Sequence, residues 1–343
     1  MGKIEKIIIE NGAINHIEEV LSKDFVSSKF LYVSDENVDS LYGEIVKKQI
    51  CKVGKIKIEL IDNNTISYAM NLAERIIATD ISCIVGLGGG KVLDVCKYAA
   101  YISKTPYLSI PTTAANDGLV SPIAVLKRQD GRPKSLGASI PSMVLIDTCI
   151  IANGPIQNIK AGIGDTISNY MALLDWELAS SRGKESINGY AYMMSKNSLE
   201  VLMKTQYDHI CPEFIETLVN SLVLSGIAME FAGSSRPVSG SEHCFSHALD
   251  YYCEKTNLHG IQVALGTIAM LKIIGKDYRD LLSYLRKFEV DVNPIHLGIS
   301  EDSFVLCMQN ASSMRKGRYT YLDEIDLNDE FLRNIYRELV EEL

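Results

Sequence analysis

The chain has 343 residues, a formal charge of −9 and 47% apolar residues. That length exceeds one ordinary core and predicts two domains of roughly 150–190 residues. The apolar fraction excludes a disordered or fibrous chain, and the acidic balance, with no basic stripe to offset it, argues against a nucleic-acid partner. No run of about 18 apolar residues is evident to insert into a membrane. The opening MGKIEK lacks the apolar core and cleavage site of a signal peptide, which points to the cytoplasm. Eight scattered cysteines without a C-x-x-C pair predict reduced, mostly buried thiols.

In chain order, β-branched runs predict strands at 3–10, 30–35, 56–61, 81–87, 107–111 and 143–147. Helical periods at 13–22, 36–50, 65–79 and 91–103 separate them. Such alternation predicts a parallel sheet covered on both faces, with ligands at the carboxyl ends of its strands. Residues 121–138 read as a β-hairpin turning at Gln129-Asp130-Gly131. Beyond Asp147 strand-like runs vanish, and helical periods follow at 165–180, 188–203, 213–231, 241–253, 260–275 and 327–342. Gly154-Pro155 breaks the chain between the two textures. The expected architecture is an α/β dinucleotide-binding domain over 1–152 and an all-α domain over 153–343.

The segment ISCIVGLGGGKVLDVCKYAA reads as strand, turn, helix. Gly86, Gly88, Gly89 and Gly90 permit positive φ and close backbone approach to a ligand. A helix starting near Lys91 then presents free N–H groups and its positive dipole end to an anion such as a pyrophosphate. A Walker loop would need glycine in place of Val85 and a hydroxyl in place of Val92, and a G-x-G-x-x-G turn from Gly86 would need glycine in place of Lys91. The turn is therefore of another type, G-G-G-K-x-x-D, with Asp94 one turn into the helix. After the next strand, SIPTTAANDGLVSP offers Thr112, Thr113, Asn116, Asp117 and Ser121 at a carboxyl end, although turn chemistry alone would account for Asn-Asp-Gly. Asp35 ends an earlier strand, placed either to cap the next helix or to reach a cofactor's ribose or adenine.

Three of six histidines fall in GSEHCFSHALDYYCEKTNLHG. His243 and His247 are i and i+4, so their rings share one face of a helix. His259 opens the following helix, and imidazoles from neighbouring helix ends can converge on one metal. Asp165, after a Gly-x-Gly entry at the mouth of a helix, is the best carboxylate candidate to join them, or else an N-cap. No H-E-x-x-H and no G-x-S-x-G occurs, which disfavours a standard zinc protease and a serine hydrolase.

GLGGGKVLD, IPTTAANDGLVSP, AGIGDTISNYMALLDWELA and GSSRPVSGSEHCFSHALDYY together resemble the iron-containing alcohol dehydrogenase and dehydroquinate synthase superfamily. The last two resemble its glycerol-1-phosphate dehydrogenase branch most. The resemblance spans nearly the whole chain. It implies a dehydroquinate synthase-like fold and a divalent metal, zinc or else iron or nickel, on Asp165, His243 and His259. It implies NAD or NADP on Asp35, Gly88, Gly89, Gly90, Lys91, Asp94, Thr112, Thr113 and Ser121. Asp117 and His247 would be catalytic, and Asp117, Asp165 and His247 would meet the substrate. The substrate phosphate would need a cation, and Arg236, just before the histidine helix, is the sequence's candidate, or else a surface arginine. The implied reaction is reversible reduction of dihydroxyacetone phosphate to sn-glycerol 1-phosphate, in a homo-oligomer with no membrane insertion. Glycerol dehydrogenase, a dehydroquinate synthase-like lyase and a non-catalytic binding module are the alternatives, and no basic cluster for the lyase substrate is visible.

Overall fold

The computed structural model describes residues 4–343, so the first residue of the strand expected at 3–10 lies outside it. Two compact units emerge. One comprises the residues up to Ala114 and Gly118–Pro155; the other comprises Ala115–Asp117 and Ile156–Leu343.

The first unit alternates strands and helices: β1 (Lys6–Glu10), α1 (Ile17–Ser22), β2 (Lys29–Ser34), α2 (Glu36–Val38), α3 (Glu44–Val53), β3 (Lys55–Leu60), α4 (Ile66–Ala78), β4 (Cys83–Gly88), α5 (Gly90–Ser103), β5 (Tyr107–Pro111), β6 (Ile123–Lys127), β7 (Pro133–Gly137), β8 (Met143–Asp147) and α6 (Thr148–Ala152). Six strands form a parallel sheet in the order β1-β8-β5-β4-β2-β3. Both faces are buried, so the strands read as continuous apolar runs whose alternate residues enter different cores. Phe30, Tyr32, Val85 and Leu87 pack with α1 and α3, while Leu31, Val33 and Ile84 pack with α4 and α5. Each such fully buried side chain contributes about 1.5–3 kcal/mol. β6 and β7 form the antiparallel hairpin, turning at Gly131 with φ +80°. From β2 the chain steps outward to β3 and then returns to β4 on β2's other side. That reversal opens a crevice at the carboxyl ends of β2 and β4.

The second unit is helical: α7 (Ile156–Ser181), α8 (Gly189–Met203), α9 (Pro212–Ala232), α10 (Ser241–Tyr252), α11 (His259–Ile273), α12 (Arg279–Lys287), α13 (Glu301–Asn310) and α14 (Asp329–Glu342). α11 is buried along almost its whole length and packs on α7 and α10. The sequence missed α12 and α13, and it began α7 nine residues late. Asp165 is therefore not an N-cap at a helix mouth but an interior residue of α7. Gly164 serves the helix crossing: a Cβ there would strike the Gly260 carbonyl, and a Cβ on Gly260 would strike that of Ala161. α9 also corrects the expectation of no membrane-length apolar run. It is long and apolar enough by length and composition, but 61% of its apolar window is buried and it packs along α8. The cysteines are free, yet only Cys83, Cys96, Cys244 and Cys307 are buried; Cys51 and Cys149 are exposed.

Candidate active site

Within the helical unit, Asp165, His243 and His259 bring one ligand atom each to within 4.8 Å of one another. The close Gly164–Gly260 crossing creates this meeting, because the residue after Gly164 is Asp165 and the residue before Gly260 is His259. His259 Nε2 stands 3.9 Å from Asp165 Oδ1. His243 comes from α10, held close to α11 where Gly266 leaves no room for a Cβ against the Glu242 backbone.

Hydrogen bonds fix which ring nitrogens are available. Gly240 N–H and His243 Nδ1 both point to Glu242 Oε1, at 2.7 Å each, so that oxygen accepts and Nδ1 carries the proton. Ser246 Oγ donates to Gln262 Oε1 at 2.8 Å, so it accepts from His259 Nδ1 at 3.1 Å. Gln262 Nε2 in turn donates to Asp250 Oδ1 at 3.2 Å, which orients the amide. Both histidines thus keep a bare Nε2 lone pair toward Asp165, as metal-ligating histidines do.

The electrostatics favour a cation at this point. Burial holds His243 and His259 down at about 3, helped at His243 by Arg315 and Arg318 and at His259 by His243, so both rings are neutral near pH 7. Burial raises Asp165 well above the usual carboxylate range, and the Asp117 and Glu242 charges add to that rise. The Asp117 N–H, 3.0 Å from Asp165 Oδ2, opposes it only in part. A buried carboxylate beside two neutral imidazoles is a donor set that suits a divalent transition metal. His247 lies one turn along α10, its ring centroid 6.2 Å from that of His259 and 6.4 Å from that of His243. Among the described residues its ring makes no hydrogen bond, and burial, then His259 and His243, push its proton affinity well down.

Arg236 requires a correction. It is only 2% exposed, its Nε pairs with Glu185, and its Nη1 donates to the Tyr319 carbonyl at 2.7 Å. It ties the turn before α10 to the chain near residue 319 and is not presented to a ligand. Arg315 and Arg318, which the sequence reading passed over, hold the same turn. Arg315 Nη1 donates to Ser239 Oγ at 2.7 Å, and Arg318 donates to the Ser239 carbonyl and to Ser235 Oγ at 2.9 Å. Only their basic i, i+3 spacing in MRKGRY, within an acidic chain, signals them.

In the sheet unit, Gly88 closes β4, Gly89 is the N-cap of α5 and Gly90 its first residue. None of Gly86, Gly88, Gly89 or Gly90 has positive φ, contrary to expectation. A Cβ on Gly86 or Gly88 would collide with Cys96 or Val92, so these two serve packing. A Cβ on Gly90 would meet nothing within 4 Å, so this helix start is bare and approachable. Lys91 is exposed beside it. Asp94 turns away, its Oδ1 3.4 Å from Lys97 Nζ, and its carboxyl also accepts from the Val125 N–H of the hairpin. Lys97, unforeseen, is buried and donates to the Gly118 and Ile123 carbonyls at 2.8 Å each, shaping the loop that holds Ser121. Thr112 is buried and its N–H bonds the Gly88 carbonyl, while Thr113 lies beside Gly89. Asp35 caps α2, accepting from Asn37 and Val38 N–H at 3.1 Å, at the carboxyl end of β2 beside the crevice.

A family model, iron-containing alcohol dehydrogenase, matches residues 8–155. A glycerol-1-phosphate dehydrogenase (NAD(P)+) from Hyperthermus butylicus is 36% identical over 97% of this chain and 96% of its own length. One from Methanococcoides burtonii is 37% identical over 92% and 89%. Among solved structures, a probable glycerol dehydrogenase from Sinorhizobium meliloti superposes with a TM-score of 0.78 at 19% identity, covering 99% of this chain and 97% of that one. Glycerol dehydrogenase from Schizosaccharomyces pombe gives 0.78 at 19% identity, covering 99% and 90%. These likenesses show the fold.

Proposed function

The chain belongs to the glycerol-1-phosphate dehydrogenase family, among the iron-containing alcohol dehydrogenases, and on that premise we propose that it reduces dihydroxyacetone phosphate to sn-glycerol 1-phosphate with NAD(P)H. The observation that carries this reading is the convergence of Asp165, His243 and His259 in a chain so closely related to those enzymes. Asp165, His243 Nε2 and His259 Nε2 would hold a divalent ion, and the donor set suits zinc. When bound, that ion supplies Lewis-acid polarisation at the substrate's C2 oxygen, and the nicotinamide supplies the hydride.

The protein's own groups bind, orient and manage the proton. Glu242 and Ser246 fix the two ring tautomers, and the Asp117 N–H fixes the Asp165 carboxylate. His247, neutral and without a hydrogen-bond partner among the described residues, is our candidate to exchange a proton with the C2 oxygen. Asp117 sits beside Asp165 toward the substrate. The bare start of α5 at Gly89, Gly90 and Lys91 takes the dinucleotide's pyrophosphate, with Gly88 ending the strand behind it. Thr112, Thr113 and Ser121 offer hydroxyls toward the nicotinamide. Asp94 supports this turn from behind through Lys97 and the hairpin, and Asp35 closes the crevice on the ribose side. A cytoplasmic homo-oligomer completes the reading, supported by Tyr190, Met193 and Val201 exposed on one face of α8.

The test measures NADH and NADPH oxidation by zinc-loaded enzyme with dihydroxyacetone phosphate and with dihydroxyacetone. A kcat/KM preference of about 100-fold for the phosphate, equivalent to roughly 2.7 kcal/mol, is expected, with activity lost in Asp165→Ala. Preference for the unphosphorylated ketone would make the chain a glycerol dehydrogenase instead.

A further inference from the structure

The substrate's phosphate needs cations that no protein carboxylate already occupies. Arg315 and Arg318 follow the short 3-10 segment Ala311–Met314, which packs on α10. Both side chains are half-buried. Burial lowers the proton affinity of both; Arg236 repels each of them, and Arg315 also repels Arg318, which falls to about 9. A carboxylate in ion-pair contact would remove that cost, yet among the described residues neither arginine has one. Their hydrogen-bond partners are Ser239 and Ser235, and Glu242 and Cys244 act on them only through space. Arg236 adds a third positive charge nearby, and its own Nη2 is buried without an acceptor.

This excess charge is not remote from the chemistry. Ser235 and Ser239 belong to the turn that delivers α10, and α10 carries both His243 and His247. The charges of Arg315 and Arg318 act on those two rings through space. A buried cation without a counter-ion is costly, and a bound dianion removes the cost. A phosphate monoester carries about 1.5–2 negative charges near pH 7, a match for two guanidiniums that offer forked N–H donors.

We propose that Arg315 and Arg318 grip the phosphate of the substrate and so make the enzyme select a phosphorylated ketone over its unphosphorylated counterpart. The assignment rests on the dehydrogenase reading above. Ser235 and Ser239 are the groups that aim the two guanidiniums.

The test compares dihydroxyacetone phosphate with dihydroxyacetone for zinc-loaded wild type, Arg315→Gln, Arg318→Gln and the corresponding lysine variants. Melting temperature and zinc content are recorded for each. In the glutamine variants the kcat/KM preference for the phosphorylated over the free ketone should fall about 100-fold, mainly through the KM for the phosphorylated ketone. The lysine variants, which keep the charge and guard against loss of the fold, should fall between. Inorganic phosphate should inhibit the wild type competitively and the glutamine variants far less. Equal loss on both ketones, or an unchanged preference in both glutamine variants, overturns the assignment. A wild type without any preference for the phosphate would instead remove the dihydroxyacetone-phosphate reading on which it rests.

Discussion

Single hydrogen bonds decide how the histidines present themselves. Ser246 holds His259 Nδ1–H, so Ser246→Ala leaves that proton without an acceptor and the ring free to turn. Zinc affinity, measured by competition with a chromophoric chelator, is expected to fall about 10–100-fold. The same chain of bonds ends at Asp250, whose carboxyl burial pushes up to about 6, against which the Gln262 hydrogen bond works only partly. Its folded pKa exceeds its unfolded value, near 3.9, so the folded state binds the proton more tightly. The resulting stability is present in full below about pH 4 and is lost as pH rises through about 6. Denaturant titrations at pH 4.5 and 7 should therefore show a smaller pH-dependent loss in Asp250→Asn than in the wild type. An identical loss in both would mean that Asp250 titrates normally.

Helix crossings set the site at the next scale. α7 and α11 approach so closely that Gly164 and Gly260 have no room for a Cβ, and Asp165 and His259 flank those glycines. Gly260→Ala forces the two backbones apart. A loss of about 1–3 kcal/mol is expected in urea titrations, as for other overpacked cores. Zinc affinity should fall with it, because the ligand distances depend on the crossing. Stability lost with zinc affinity intact would show that the site tolerates the shift. The start of α5 offers a contrast. There glycine leaves space unfilled at Gly90, where a ligand could approach the backbone.

Over the whole molecule, metal binding should be linked to folding of the helical unit, since Asp165, His243 and His259 come from three helices. A buried carboxylate raised by its neighbours destabilises that unit until a cation joins it. Chelation with EDTA should lower the melting temperature and zinc should restore it, by up to about 4 kcal/mol at a thousandfold excess over Kd. No shift would argue that the three side chains bind nothing. Much of this molecule was legible in its sequence. The strand runs, the hairpin, most helices, the glycine-rich turn between a strand and a helix and the shared face of His243 and His247 are local matters of periodicity and glycine placement, so neighbouring residues settle them. Asp165 was read as a candidate, but at the mouth of a helix, because two glycines look like a break unless the partner helix that needs them is known. Arg236 looked available and Arg315 and Arg318 went unnoticed, since a sequence does not say which arginine finds a carboxylate. The sequence by itself therefore determined the kinds of elements and the chemistry they carry. Which side chains meet, and which charges are left uncompensated, was decided only by the tertiary structure, through helix crossings and burial between residues far apart in the chain.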